Sequence, residues 1–193
     1  MVDAGSHVHE VYAEALRYFM GEGYLNRTLA RLSSDLDDHG IDYMVIGAVA
    51  LLAHGYPRFS EDIDLVMTAE GLEKFHSELI GLGYAVDGVS IEVMTTGEYP
   101  GDGKPKPVSM PDPATASTRI DGVNFVTLEK LIELKLASGI SAPHRLKDLA
   151  DVQELIKFRN LDADFANKLD PYVRAKYLEL QDAVEKSAPD QEK

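Results

Sequence analysis

The chain contains no cysteine among its 193 residues. Disulfides and thiolate metal sites are therefore excluded, a pattern that fits a cytoplasmic protein. Positive charge is scarce as well. Lys and Arg number 19 against 33 Asp and Glu, leaving a formal net charge of −14. A surface that binds nucleic acid broadly is normally basic, because affinity comes largely from neutralising phosphates. That class is excluded, whereas a local basic pocket for one nucleotide or one RNA end is not. No run of about 18 uninterrupted apolar residues occurs, so no membrane-spanning helix and no membrane partner is expected. The N-terminus lacks the basic region and apolar core of a signal peptide. Internal repeats are absent.

What is present is enough for one domain. Apolar residues make up 45% of the chain, within the globular range. Helical periodicity runs over 8–20, with Val8, Val11, Tyr12, Ala15, Leu16 and Phe19 recurring, and over 25–39, where Leu25, Leu29, Leu32 and Leu36 form a stripe that Gly40 ends. Ile41–Ile46 reads as a strand, Gly47 to about His54 as a short helix, and Gly55-Tyr56-Pro57 as a turn. Asp62–Met67 reads as a second strand. A helix over 70–82 follows, closed by Gly83, and then an alternating strand over Val89–Met94. Thr95–Ser117 is irregular and rich in Gly and Pro. Arg119–Val126 predicts a hairpin, since Asp121-Gly122 suits a type I′ turn. Helices are expected over 128–138, capped by Thr127 and stopped by Gly139, over 144–158 after Pro143, and from Asp170-Pro171 to about Lys186. Ser187–Lys193 reads as a polar tail. The expected fold class is α/β (α+β), a small mixed sheet flanked by helices with a helical C-terminal part. The expected organisation is an N-terminal helical extension over 1–24, a core domain over 25–160 and a C-terminal helix and tail over 161–193.

The chemistry concentrates in Ile46 to Met67. An apolar run ends in Gly47-Ala48, a short helix follows, and Asp62 and Asp64 sit two apart inside a second apolar run. In a strand they share one face while Ile63, Leu65 and Met67 take the other. Adjacent carboxylates repel, and a fold tolerates them where a cation lies between, most naturally Mg²⁺ or Mn²⁺ with substrate phosphates. Asp is otherwise depleted in strands. The start of the helix at Gly47 and Ala48 supplies backbone N–H groups suited to phosphate.

This pattern resembles the nucleotidyltransferase superfamily with a polymerase-β-like core, whose signature is Gly-Gly or Gly-Ser, a short helix, then Asp-x-Asp on the next strand. Residues Gly47 to Leu65, with His54-Gly55 and Arg58-x-Ser60, are similar to the toxin–antitoxin and abortive-infection (AbiEii-type) nucleotidyltransferases. Ala48 departs from the second position of the Gly pair and removes one hydroxyl contact to phosphate. The resemblance implies transfer of a nucleotidyl group from an NTP, with Mg²⁺ or Mn²⁺, to a small molecule, a tRNA end or a protein, and implies a cognate partner protein. Two further readings share the fold: a nucleotide- or partner-binding module with weak catalysis, and an antibiotic-modifying nucleotidyltransferase.

Nucleotidyl transfer needs two or three carboxylates, a phosphate cradle and a few cations. Asp62 and Asp64 are two metal ligands and catalytic acids. Glu92, the only acid inside the strand over Val89–Met94, is the candidate third, the alternative being a solvated edge residue. Gly47 and Ala48 form the candidate cradle, with Arg58 and Ser60 in reach of phosphates; an ion-pair role for Arg58 is the competing reading. The loop from Thr96 to Pro107 offers Lys104 and Lys106 as nucleotide-binding cations and Tyr99 as a stacking ring. Lys135 interrupts an apolar helical run. Together with the Lys147-Asp148-x-x-Asp151 run it resembles the family's late motif, which implies that Lys135 contacts a phosphate and that Asp148 orients it or the nucleotide. Ordinary helix-surface pairs are the bland alternative.

Overall fold

The protein is described from a computed structural model covering residues 13–82 and 88–187, with Leu82 defined by its backbone alone. Residues 8–12 of the first expected helix, the Gly83 stop and the tail over 188–193 lie outside the described residues. Among the described residues, no helix is long and apolar enough to cross a membrane.

Among the described residues five strands form one mixed sheet: β1 (Tyr43–Val45), β2 (Asp62–Met67), β3 (Ser90–Thr95), β4 (Ser117–Ile120) and β5 (Val123–Val126), in the order β3-β2-β1-β5-β4. β2 pairs in parallel with β3 and antiparallel with β1; β5 pairs in parallel with β1 and antiparallel with β4. β1 is the central strand and is buried at all three positions, as expected where both faces are covered. Asp121 (φ 47°) and Gly122 (φ 84°) are both left-handed, which gives the β4–β5 hairpin the type I′ turn its sequence predicts.

Helices cover the sheet. Residues 13–19 form α1. They are followed by α2 (Tyr24–Asp38), α3 (Gly47–Ala53), α4 (Ala69–Lys74), α5 (Pro113–Ala116), α6 (Leu128–Ser141), α7 (Leu146–Arg159) and α8 (Pro171–Ser187). Leu32 and Leu36 of α2, Leu51 of α3, Leu131, Ile132 and Leu136 of α6, and Val173 and Tyr177 of α8 enter one core with Ile63 and Leu65 of β2. Nine consecutive residues of α6, Leu131–Gly139, are buried, and the helix packs against both α7 and α8.

Three expectations need correction. Gly139 does not end its helix; α6 runs on to Ser141. A Cβ at Gly139 would lie 2.5 Å from Leu149 side-chain carbons, so the glycine serves the close crossing of α6 and α7. The helix expected over 70–82 is regular only to Lys74, then widens to a π turn over Phe75–Leu79 and tightens to a 3-10 turn over Ile80–Leu82, with Phe75 and Leu79 buried. The stretch expected to be irregular up to Ser117 contains α5, which Asp112 caps by accepting from the Ala114 N–H at 2.9 Å, and the first residue of β4.

Candidate active site

The parallel register of β2 and β3 places Asp62 opposite Ser90 and Asp64 opposite Glu92. Directly opposed residues of paired strands share a face. Asp62, Asp64 and Glu92 therefore stand on one wall, while Ile63 and Leu65 fill the core behind it. The wall opens on a cleft of about 1040 Å³ whose other side is α6 and the start of α7.

This wall is crowded with negative charge. Asp64 has its carboxyl pushed up to about 6, first by burial, then by the charges of Asp62 and Glu92; Lys135 and Arg145 pull the other way and do not cancel the effect. Asp62 accepts a hydrogen bond from the Ser60 hydroxyl, so that hydroxyl is engaged within the protein. Among the described residues no three His, Cys, Asp or Glu side chains converge closely enough to hold a metal ion as they stand. The donor set nonetheless suits one. It consists of carboxylates alone, the hard oxygen ligands that Mg²⁺ and Mn²⁺ prefer, and the perturbed Asp64 marks a place short of positive charge.

Gly47 belongs to this wall. Its φ is +69°, and a Cβ there would lie 1.8 Å from Asp64 Oδ2. The glycine thus makes room for the Asp64 carboxylate, and no side chain fits between α3 and β2 at that point. Ala48 lines the cleft beside it. The Ile46 N–H donates to the Asp64 carbonyl at 2.9 Å, which ties the entry of α3 to the same residue.

Opposite stands a wall of paired charges. Lys135 Nζ donates to Asp148 Oδ1 at 3.1 Å and to Asp151 Oδ2 at 2.7 Å, and all three residues are buried. Ser138 donates to Asp148 at 2.7 Å, Arg145 Nε donates to the same carboxylate oxygen at 2.8 Å, and Arg58 binds Asp151. Burial pushes the Asp148 carboxyl up, but the Lys135 charge and the hydrogen bonds from Ser138, Lys135 and Arg145 outweigh it and hold the group below the usual carboxylate range. The sequence-derived residues Asp62, Asp64, Glu92, Lys135, Asp148, Gly47, Ala48, Arg58 and Ser60 all line this one cleft.

Lys104 and Lys106 do not line it. Lys106 Nζ donates to the Pro100 carbonyl and to Asp102 Oδ1, each at 2.7 Å, and lies 5.6 Å from the centre of the Tyr99 ring. Lys104 is exposed, and its backbone N–H donates to Asp102 Oδ1 at 3.1 Å. Lys106 braces the loop, and it is Glu98, Tyr99, Pro100 and Gly101 that reach the cleft. The loop is pinned: Gly97 N–H donates to the Met110 carbonyl at 2.9 Å and Met110 N–H returns to the Glu98 carbonyl at 2.7 Å. A Cβ on Gly101 (φ +78°) would strike Ser141 Oγ at 2.4 Å, so the loop rests directly on α6.

One side chain lining the cleft and one packed against a lining residue carried little signal in the sequence. Ser138 lies one turn after Lys135 on α6, and helical spacing alone would place both on one face. Tyr18 of α1 is buried edge-on against Phe59, with ring centroids 5.3 Å apart. Its hydroxyl is raised to about 12, chiefly by burial, with the Arg58 charge lowering it and the Asp62 charge raising it.

No protein-family model matches the chain, and no curated protein matches its sequence. Solved structures do match. ANT(2")-Ia, solved in complex with adenylyl-2"-tobramycin, is similar with a TM-score of 0.49 and 13% identity, over 86% of this chain and 98% of that one. A candidate nucleotidyltransferase from H. pylori is similar with a TM-score of 0.46 and 16% identity, over 84% of this chain and 91% of that one.

Proposed function

We propose that the chain is a metal-dependent nucleotidyltransferase that moves a nucleotidyl group from an NTP to a hydroxyl acceptor. The observation that carries this is the register of Asp62, Asp64 and Glu92 on one wall of a cleft, with buried Lys135 on the other. Asp62, Asp64 and Glu92 would hold Mg²⁺ or Mn²⁺, which supplies charge stabilisation at the transferring phosphoryl group. Lys135, Arg58 and Arg145 meet the triphosphate from the helix wall, and their carboxylate partners Asp148 and Asp151 keep them aimed before substrate arrives. The acceptor oxygen attacks the α-phosphorus, the bond from the α-phosphorus to the bridging oxygen breaks, and pyrophosphate leaves. Glu92 takes the acceptor's proton at a carboxylate oxygen. Backbone N–H groups at Gly47 and Ala48 line the phosphate side.

The finer reading is a toxin–antitoxin or abortive-infection enzyme, supported by Gly47 to Leu65 and by Lys135 with Asp148. A second reading concerns the acceptor. Glu61 and Glu98 extend the acidic wall of the cleft, which favours a cationic acceptor of the antibiotic type over an RNA end. One experiment separates these. The protein is incubated with each labelled NTP, Mg²⁺, and either total RNA or an amino-sugar antibiotic panel. Label transferred to either class identifies the acceptor. The metal site is tested by thermal melting with Mn²⁺ and NTP: the parent gains stability by ligand linkage, and Asp62→Asn with Asp64→Asn loses that gain while its metal-free fold persists. An undiminished gain in the double variant removes the reading.

A further inference from the structure

Three cations that line the helix side of the cleft are held in different ways. Lys135 spends two of its three protons, on Asp148 Oδ1 and Asp151 Oδ2. Arg58 binds Asp151 through a terminal nitrogen, Nη1. Arg145 is held through Nε, at 2.8 Å from Asp148 Oδ2 and 3.3 Å from Ser138 Oγ, and among the described residues its Nη1 and Nη2 make no hydrogen bond. The two terminal nitrogens of a guanidinium form a fork that matches two oxygens of a phosphate. Ser138 ties the anchor together. Its buried hydroxyl accepts from Arg145 Nε and gives its own proton to Asp148 Oδ2 at 2.7 Å. Lys135 holds the other oxygen of that carboxylate. Asp148 is thus fixed at both oxygens, and the planar guanidinium is anchored along one edge. Arg145 also stands nearer the mouth of the cleft than Lys135. Lys135 is buried, whereas Arg145 is half-exposed and stands with His144 and Lys147, which line the same cleft, are exposed and form no ion pair among the described residues. A triphosphate reacting at the carboxylates of the sheet wall would run its outer phosphates toward this mouth.

We propose that Ser138 is a positioning residue: with Asp148 it clamps Arg145 at Nε, so that the two terminal nitrogens grip the outer phosphates of a nucleoside triphosphate bidentately. The inference deepens the nucleotidyltransferase reading above and rests on it. It assigns the discrimination of a triphosphate from a monophosphate to Arg145, and it gives α6 a second role beside carrying Lys135. A lysine in place of Arg145 would keep the charge and lose both the Nε anchor and the fork.

The test uses the full chain and measures, by calorimetry, binding of inorganic triphosphate in the presence of Mn²⁺ to the parent, Ser138→Ala, Arg145→Lys and the double variant. Inorganic triphosphate removes the base and the acceptor from the measurement. Arg145→Lys changes a half-exposed side chain, so its fold should persist whatever Ser138→Ala does. Arg145→Lys should weaken binding roughly 10-fold or more, since a charge-assisted pair of hydrogen bonds is lost. Ser138→Ala should weaken it about 3- to 10-fold. The double variant should match Arg145→Lys, because the hydroxyl acts through the guanidinium and has nothing left to position. Parent-like affinity in Ser138→Ala or in Arg145→Lys overturns the proposal. So does a Ser138→Ala effect of the same size in the Arg145→Lys background, since the hydroxyl would then support the fold and not the fork. If the parent binds no triphosphate with Mn²⁺, the nucleotidyltransferase reading falls first and this inference falls with it; if the parent binds and either single variant matches it, only the inference falls.

Discussion

The two walls of the cleft use the same residue types and hold them in opposite states. On the sheet wall, Asp62, Asp64 and Glu92 face one another, and among the described residues no Lys or Arg forms an ion pair with any of them. Asp64 is driven up to about 6 as a result. On the helix wall, Asp148 and Asp151 are at least as deeply buried, yet Arg58, Lys135 and Arg145 surround them and Asp148 is held low. Burial alone does not set the state of a carboxylate; the neighbours decide. The carboxylates of the helix wall are paired within the protein, whereas those of the sheet wall have no cationic partner among the described residues.

The sharpest way to break this contrast is to remove the cation that Asp148 and Asp151 share. Lys135→Met keeps most of the packing and leaves Asp148 and Asp151 short of their shared partner. Removing one member of a buried ion pair typically costs about 3–5 kcal/mol. The metal-free protein should lose that much in denaturant melting, and turnover of the folded fraction should fall roughly 10²-fold or more. Loss of stability with full turnover per folded molecule would make the network purely structural.

The sheet wall should respond with the opposite sign. Asp64 is raised from 3.8 to about 6, so its ionised form opposes folding. Above about pH 6 the group is ionised in both states and the opposition is full. As pH falls through 6 the folded protein takes up a proton that the unfolded chain does not, and stability rises. Below about 3.8 both states are protonated and nothing remains. Asp64→Asn should therefore stabilise the metal-free protein at pH 8, by up to about 3 kcal/mol. The advantage over the parent should shrink between pH 6 and 4. A constant difference across that window, measured by urea melts of both proteins, would mean that Asp64 is not the titrating group.

How much of this was legible beforehand follows from the kind of signal each residue leaves. β2 was readable to the residue, because alternation of Asp with Ile and Leu is a local pattern. Sharing a wall with Glu92 was not local. It depends on β2 and β3 pairing in parallel at a register only packing fixes. Lys135 and Glu133 show the limit well. Both are buried charges on α6, two residues apart, and both interrupt the same apolar run. Glu133 is satisfied by Lys130 at 2.7 Å and by the Asp170 N–H at 2.8 Å, away from the cleft, while Lys135 faces it. Spacing could not separate them. Gly139 misled for a related reason: a glycine reads as a stop when what it serves is the crossing of a second helix.

Gly47 sharpens the comparison from the backbone side. Gly47→Ala should cost about 1–3 kcal/mol, from its left-handed φ and from the contact with Asp64. Part of the cost is shared with the carboxylate, so Gly47→Ala and Asp64→Ala should not be additive. The double variant should be more stable than the sum of the singles predicts, since the Oδ2 and Cγ atoms the new methyl would strike are gone. Additive effects in a double-mutant cycle would leave backbone strain as the whole cause.

The smallest effect is expected where the sequence pointed to substrate and the structure points to a brace. Lys106 is bound to Pro100 and Asp102, and the Asp102 carboxyl lies below its usual range chiefly because Lys106 donates to it. A lysine committed to its own loop has little left for a triphosphate, and Lys104 projects to solvent. Lys104→Ala should leave NTP affinity and melting temperature unchanged. Lys106→Ala should lower the melting temperature slightly and raise the Asp102 carboxyl, both readable in one pH series of melts. It should also loosen the loop that carries Tyr99, Pro100 and Gly101, so any effect on catalysis should appear in the KM for the acceptor, leaving NTP affinity as in the parent. A clear loss of NTP affinity in either variant would return these lysines to the nucleotide and extend the charge-neutralising surface beyond the helix wall.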